Sequence, residues 1–213
     1  MPEPFRGFKS RVVPLPREHI DTDQIVPARF LKVTDKAGLA EALFRDWRFD
    51  ENGCFVEPLF VLDQPSMAGR SILLAGDHFG AGSSREHAAW ALAAWGIRAI
   101  LSTSFADIFR NNALKNGMLP IVVDKATHRR LFELLESDPE AELAVDLAEQ
   151  GVRLPDGTTI EFEVDPFARL MLLRGTDELG YLLDRAPEID AWEARHPGRI
   201  DTTAPVPAGG SQT

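Results

Sequence analysis

A glycine-rich turn between an apolar run and a helix constrains this chain more than any other feature. Residues 71–75 form a short apolar run, which is typical of a buried strand. Three glycines occur in residues 76–82, where they allow a sharp turn and a close approach of the backbone to a ligand. Ser83 and Glu86 have the spacing of a capping box, so a helix is predicted to begin at Ser83 and to end at Gly96.

A turn of this kind, followed by a helix, favours an anion-binding site. The first turn of a helix presents unpaired N–H groups and the positive end of the helix dipole. Arg85 adds a forked cation that suits a carboxylate or a phosphate, Ser83 and Ser84 add hydroxyls, and Gly82 adds an accessible backbone. In the alternative interpretation Ser83 only caps the helix, Ser84 fills its first turn and Arg85 pairs with an acidic side chain. The glycines beside these residues favour ligand binding.

Two common phosphate-binding motifs are absent from the sequence. Residues 80–85 fail the dinucleotide pattern because Arg85 replaces the last glycine, which helix–strand packing needs. No G-x-x-x-x-G-K-[ST] motif is present. A small carboxylate is therefore a better candidate ligand than a nucleotide.

Length and charge bound the class of protein. A chain of 213 residues favours one compact domain, which is predicted over 1–196. The stretch 197–213 is rich in Pro, Gly, Ser and Thr and is predicted to be a disordered tail. A net charge of −10 without a basic stripe disfavours nucleic-acid binding. No apolar run has membrane length and no signal-peptide core is visible, so a cytoplasmic location without membrane association is expected.

The sequence offers few metal ligands. Cys54 is the one cysteine, so no disulfide within the chain and no C-x-x-C metal site can form. The five histidines do not occur in H-E-x-x-H or a similar spacing. We therefore expect this chain to bind no metal.

The alternation of strands and helices predicts an α/β fold with a mainly parallel central sheet flanked by helices. In such sheets ligands bind outside the carboxyl ends of the strands, where residues 76–84 would lie. The predicted strands cover residues 11–13, 59–62, 71–75, 97–101, 119–123, 143–147 and 159–164. The predicted helices cover 39–47, 83–95, 105–116, a segment capped by Thr127, 166–174 and 188–195.

Several segments together resemble one family. Residues 78–88 (HFGAGSSREHA) resemble the hallmark of the swivelling domain of the aconitase superfamily. Residues 21–27 resemble that family's early D-x-D-x-I-x-P element, and 104–112 resemble its following helix. Residues 44–49 and 167–183 resemble the bacterial small subunits of 3-isopropylmalate dehydratase. The resemblance covers nearly the whole chain and implies the swivelling β/β/α fold.

The resemblance also implies a reaction and a partner. The reaction would interconvert 2-isopropylmalate and 3-isopropylmalate through isopropylmaleate, by dehydration and rehydration, in leucine biosynthesis. The family uses a [4Fe–4S] cluster as a Lewis acid, and such a cluster needs several thiolates. Since Cys54 cannot supply them, the cluster is expected on the large subunit of a heterodimer.

Roles for individual residues follow from the same resemblance. Ser83 corresponds to the base that takes a proton from carbon, and Ser84 and Arg85 correspond to residues that contact the substrate carboxylate. A serine hydroxyl is a poor base unless its alkoxide is stabilised, and the helix N-terminus and Arg85 would supply positive potential there. His78 stands where the family often has asparagine, and His87 is expected to be structural.

Substrate choice in related enzymes depends on the segment that corresponds to residues 28–36. Leu31 and Val33 are candidates for contact with an isopropyl group, and Lys32 is a candidate for a further carboxylate. The alternative is a solvated surface turn.

Two other functions stay open at this point. One is the small subunit of another hydro-lyase of the same fold, such as a homoaconitase or a methylmalate-type dehydratase. The other is an anion-binding module without catalytic activity, which the intact Ser83, Ser84 and Arg85 disfavour.

Overall fold

The computed structural model describes residues 3–31, 38–83 and 85–196. The chain divides into two compact units, Met1–Asp177 and Glu178–Thr213. The tail predicted at 197–213 lies outside the described residues, so that boundary stays a prediction.

The first unit contains a seven-stranded sheet in the order β4-β3-β2-β1-β5-β6-β7. Strands β1 to β4 pair in parallel, whereas β1 pairs with β5, β5 with β6 and β6 with β7 in antiparallel fashion. The parallel half agrees with the predicted α/β fold and carries the glycine-rich turn. The strands are β1 (Phe8–Leu15), β2 (Ile72–Ala75), β3 (Ala99–Ser102), β4 (Leu119–Val122), β5 (Glu142–Asp146), β6 (Gly151–Arg153) and β7 (Thr159–Glu161).

Helices flank this sheet. The α-helices of the first unit are α1 (Thr22–Ile25), α2 (Leu39–Ala42), α3 (Arg45–Arg48), α4 (Glu86–Trp95), α5 (Asp107–Lys115), α6 (Lys125–Ser137) and α7 (Pro166–Arg174). Short 3₁₀ turns lie at Ala28–Phe30, Val61–Asp63 and Pro65–Met67. The described part of the second unit contains α8 (Glu178–Asp184) and α9 (Ala186–Arg195).

Strand β2 shows how the sheet is buried on both faces. Leu73 and Ala75 belong to a hydrophobic cluster that includes Leu92 of α4, whereas Ile72 and Leu74 belong to a second cluster with residues of α6. Because successive side chains of a strand point to opposite faces, a strand covered on both faces reads as a continuous apolar run. Full burial of one such leucine stabilises the fold by roughly 1.5–3 kcal/mol.

The helix predicted over 39–47 is two short helices. Phe44 adopts a positive φ of 48°, and its N–H donates to the carbonyl of Ile25 at 2.8 Å rather than continuing the helix. The buried guanidinium of Arg48 donates to the carbonyl of Leu43 at 3.1 Å and forms an ion pair with Asp63 at 2.8 Å. The bonds of Phe44 to Ile25 and of Arg48 to Asp63 join residues outside the predicted helix, and they override the local helical pattern.

Three other predictions of local structure were wrong or incomplete. The strand predicted at 59–62 is instead a coil that runs into the 3₁₀ turn Val61–Asp63, where the N–H of Asp63 donates to the carbonyl of Phe60 at 2.9 Å. Asp124, not Thr127, caps α6, since its carboxylate accepts from the N–H groups of Ala126 and Thr127. Strand β6 and helix α8 were not predicted.

No helix within the described ranges is both long enough and apolar enough to cross a membrane.

Candidate active site

The glycine-rich turn lies at the carboxyl ends of the parallel strands, between the segments that follow β1 and β3. On one side the N–H of His19 donates to the carbonyl of Asp77 at 2.8 Å, and the N–H of Gly80 donates to the carbonyl of Ile20 at 2.7 Å. On the other side the N–H of Phe79 donates to the carbonyl of Ser104 at 3.0 Å. The turn is therefore held from both neighbouring loops, at the edge where ligands bind to such sheets.

Two of the glycines leave no room for a side chain. Gly80 has φ of +78°, and a Cβ there would lie 2.5 Å from the Cβ of Phe109. A Cβ on Gly76 would lie 2.6 Å from the carbonyl carbon of Arg17. The buried ring of Phe109, in addition to the positive φ, therefore requires glycine at position 80, whereas close backbone packing requires it at position 76.

A carboxylate network fixes the start of the turn. Asp77 accepts hydrogen bonds from Thr103 Oγ1 at 2.5 Å, from Ser104 Oγ at 2.7 Å and from the N–H of His78 at 2.9 Å. The hydroxyl of Thr103, followed by that of Ser104, lowers the pKa of Asp77 to about 2. This role of Asp77 was not predicted, although an acidic residue two positions after a buried strand is visible in the sequence.

Ser83 does not cap the following helix. Helix α4 begins at Glu86, its N-cap is Arg85 in an extended conformation, and no side chain caps it. The capping box predicted for Ser83 and Glu86 is therefore wrong. The carbonyl of Ser83 accepts from Thr22 Oγ1 at 3.1 Å and from the N–H of Arg85 at 2.8 Å, and these bonds hold Ser83 before the helix.

The hydroxyl of Ser83 lies at an exposed position and has no hydrogen-bond partner among residues 3–31, 38–83 and 85–196. It therefore lies beside the start of α4 without serving as a cap. Ser84 lies outside the described residues, and Gly82 is exposed with φ of +94°.

Arg85 forms an ion pair with Asp23, so the alternative interpretation of Arg85 is realised in the structure. The arginine side chain is 20% exposed and the aspartate 53% exposed. Asp23 lies in the first turn of α1, where Asp21 and Gln24 form a reciprocal capping box. Asp23 engages Nη1 of Arg85, and the described residues offer no partner to the edge formed by Nε and Nη2. A second carboxylate could bind that edge in bidentate fashion.

The predicted specificity segment is only partly described. Leu31 follows the 3₁₀ turn Ala28–Phe30 and is partly buried, whereas Lys32 and Val33 lie outside the described residues. The ion pair of Arg29 with Asp46 ties this turn to α3. The structure thus brings together Gly82, Ser83 and Arg85 and leaves the predicted contacts of the segment untested.

Two histidines lie beside the turn. His19 and His78 are exposed, both have positive φ, and their ring centroids are 5.6 Å apart. His87 lies on α4, and its ring packs on Trp90 at a centroid distance of 4.9 Å. The proximity of His19 to the turn was not predicted, because it depends on the pairing of β1 with β2.

The described residues do not form a ligand set for a metal cluster. No group of three or more His, Cys, Asp or Glu side chains within these ranges is arranged to hold a metal ion, and Cys54 is exposed. These residues therefore do not fit a [4Fe–4S] cluster, which requires several thiolates.

An open cavity lies away from these residues. Its volume is about 470 Å³, and it lies along β1, β5 and β6, where Lys9, Asp146 and Arg153 contribute to its lining. None of the candidate site residues lines it.

Comparison with known proteins agrees with this geometry. The family model of the aconitase C-terminal domain matches residues 3–126, and the LeuD_N model matches residues 129–166. The 3-isopropylmalate dehydratase small subunit of Roseiflexus castenholzii is 54% identical over 201 residues, which cover 94% of this chain and 98% of that protein. The chain belongs to the family of 3-isopropylmalate dehydratase small subunits.

Further relatives support this assignment. The small subunit of Anaeromyxobacter dehalogenans (strain 2CP-C) is 57% identical over 191 residues, which cover 90% of this chain and 97% of that protein. A crystal structure of 3-isopropylmalate dehydratase (leuD) from Methanocaldococcus jannaschii aligns with a TM-score of 0.62 and 28% identity, covering 88% of this chain and 99% of that one. The resemblance and the aconitase-type fold predicted from the sequence are thereby confirmed.

Proposed function

We propose that this chain is the small subunit of a 3-isopropylmalate dehydratase, a hydro-lyase that interconverts 2-isopropylmalate and 3-isopropylmalate through isopropylmaleate in leucine biosynthesis. The observation that carries the proposal is identity of 54% and 57% to two proteins of that name, across nearly their full lengths. The exposed turn around Ser83 supports it, because its groups suit a carboxylate substrate.

Ser83 is the proposed base that removes a proton from carbon. Its hydroxyl is exposed and does not cap α4, so it is available to a substrate. A serine base needs positive potential to stabilise the alkoxide. The N-terminus of α4, which begins three residues later at Glu86, and the guanidinium of Arg85 provide positive charge near the turn.

Arg85, Ser84 and Gly82 are the proposed binding residues for a substrate carboxylate. The Nε and Nη2 atoms of Arg85 form an edge suited to bidentate binding, while Asp23 holds Nη1 on the other side. This division lets Arg85 keep its ion pair while it binds substrate.

The segment after Pro27 is the proposed specificity segment. Leu31 and Val33 would contact an apolar substituent of the substrate, and Lys32 would contact a second carboxylate. A hydroxy-dicarboxylate with an isopropyl group has both of these features.

The large subunit of 3-isopropylmalate dehydratase is the proposed partner, in a heterodimer located in the cytoplasm. The small-subunit names of the relatives support a large partner. The large subunit would also supply the [4Fe–4S] cluster, since the described residues of this chain lack a ligand set for it.

Reconstitution with the cognate large subunit tests this function. The complex is assayed anaerobically with 2-isopropylmalate, homocitrate and methylmalate, and kcat/KM is compared. We expect the highest kcat/KM for 2-isopropylmalate. A higher value for homocitrate or methylmalate would assign the chain to another hydro-lyase, and a complex inactive on all three would overturn the proposed activity.

A further inference from the structure

Helices α8 and α9 expose a set of large apolar side chains. Neither helix has a buried residue in the structure. Five such residues are between 43% and 64% exposed. Large apolar residues that cluster on a surface typically mark an interaction site. We call these residues the C-terminal apolar face: Leu179, Leu182, Leu183, Ile189 and Trp192.

The spacing of these residues places them on one side of each helix. Leu179, Leu182 and Leu183 occupy positions i, i+3 and i+4 of α8, and Ile189 and Trp192 occupy positions i and i+3 of α9. Scattered single apolar residues are normal on protein surfaces, but an apolar stripe on a helix is the pattern that docks into an apolar groove of a partner. Tryptophan is also enriched among the residues that dominate binding energy.

Relatives named as small subunits share this part of the chain. The alignment with the Roseiflexus castenholzii protein covers 201 of the 213 residues and leaves 12 unaligned, fewer than the 17 residues of the stretch 197–213. The alignment therefore includes α8 and reaches α9 wherever the unaligned residues lie. A segment retained in small subunits is a candidate for subunit contact.

Charge favours one occupant over the others. Residues 178–196 contain five acidic side chains against Arg185 and Arg195, a net charge of −3. A second copy would bring two such acidic segments together, and an anionic bilayer would repel them. A partner surface with an apolar groove would bury the apolar stripe, and a basic rim around that groove would complement the acidic side chains of residues 178–196.

We propose that the C-terminal apolar face docks into an apolar, basic-rimmed groove of the large subunit. The proposal rests on the proposed function, because that function requires a large subunit. It assigns a subunit contact to α8 and α9, which contain none of the candidate site residues.

The test uses full-length chains and the cognate large subunit. The test variants are Trp192→Ser and the double variant Leu182→Ser/Leu183→Ser. The matched control is Ala194→Ser, which lies on the opposite side of α9 from Trp192 and changes no charge. Serine and tryptophan have similar helix propensities, so Trp192→Ser changes the face rather than the helix. The dissociation constant of the heterodimer, the melting temperature of the isolated chain and kcat at saturating large subunit are measured.

We expect each test variant to raise the dissociation constant at least about 30-fold, the effect of losing a dominant interface residue. The melting temperature of the isolated chain and kcat at saturating large subunit should match those of the parent. Ala194→Ser should change the dissociation constant less than about threefold.

Other outcomes overturn the docking proposal or separate it from the proposed activity. Test variants that bind the large subunit like the parent would show that the face does not lie in the heterodimer interface. If the isolated parent chain sediments as a dimer that Trp192→Ser dissociates, a second copy covers the face instead. If the parent heterodimer forms and the variants weaken it, but no isopropylmalate is dehydrated, the interface stands and the proposed activity fails. A parent chain that does not bind the large subunit overturns both.

Discussion

The guanidinium of Arg85 forms an ion pair with the carboxylate of Asp23, a residue 62 positions away in the sequence. The pair joins the first turn of α1 to the N-cap of α4. It holds the arginine with one edge engaged and the other directed away from Asp23, so it can fix the orientation of a substrate-binding group before substrate arrives.

Asp23→Ala tests this orienting role. The variant should raise KM for 2-isopropylmalate several-fold, because Arg85 would lose its fixed orientation. The stability cost should be about 0–1 kcal/mol, since the pair is partly exposed to solvent. Steady-state kinetics of the heterodimer and thermal melting check both. A fall in KM would instead show that Asp23 competes with the substrate carboxylate.

Arg85→Lys separates charge from geometry. Lysine can keep an ion pair with Asp23 but lacks the planar fork that binds a carboxylate through two hydrogen bonds. We expect a higher KM and a slower turnover, with the melting temperature close to that of the parent. Kinetics equal to those of the parent would leave Arg85 with only the structural ion pair.

Asp77→Asn should change the pH dependence of stability. The pKa of Asp77 is lowered from 3.8 to about 2, so its charged form stabilises the fold, fully above the unfolded value and progressively less as pH falls toward 2. The variant should therefore be less stable than the parent at pH 7, and the difference should shrink between about pH 4 and pH 2. Urea midpoints across this range measure it. A difference that stays constant with pH would exclude the carboxylate of Asp77 as its source.

Gly80→Ala should destabilise the turn more than Gly96→Ala does. Both positions have positive φ, but a Cβ at Gly80 would overlap Phe109, whereas a Cβ at Gly96 meets nothing within 4 Å. We expect about 1–3 kcal/mol of additional cost at Gly80 from the overlap. Equal costs in urea unfolding would mean that φ alone requires glycine at position 80.

The sequence predicted the parts of the fold that depend on local pattern. The buried run of β2 follows from its apolar residues. The turn at Gly80 and Gly82 and the end of α4 at Gly96 follow from the positive φ that glycine adopts readily. The start of α4 was wrong, because Thr22 holds the carbonyl of Ser83 outside the helix. A single sequence does not reveal a contact over 61 positions, and the pair of Arg85 with Asp23 was missed for the same reason.

The central claim is that Ser83 acts as a base and not as a cap. Since its side chain makes no capping bond, Ser83→Ala and Ser83→Asn should each change the free energy of unfolding by less than the roughly 0.5–2 kcal/mol that loss of an N-cap costs. Both variants should still bind the large subunit, because Ser83 lies outside the proposed interface.

The most direct measurement is turnover of 2-isopropylmalate by the heterodimer that contains Ser83→Asn, with the melting temperature and subunit co-purification determined on the same preparation. Asparagine supplies no alkoxide, so kcat should fall by about two or more orders of magnitude, the usual contribution of a general base, while stability and assembly match the parent. A kcat close to that of the parent in a stable, assembled complex would contradict the account and place the base on another residue.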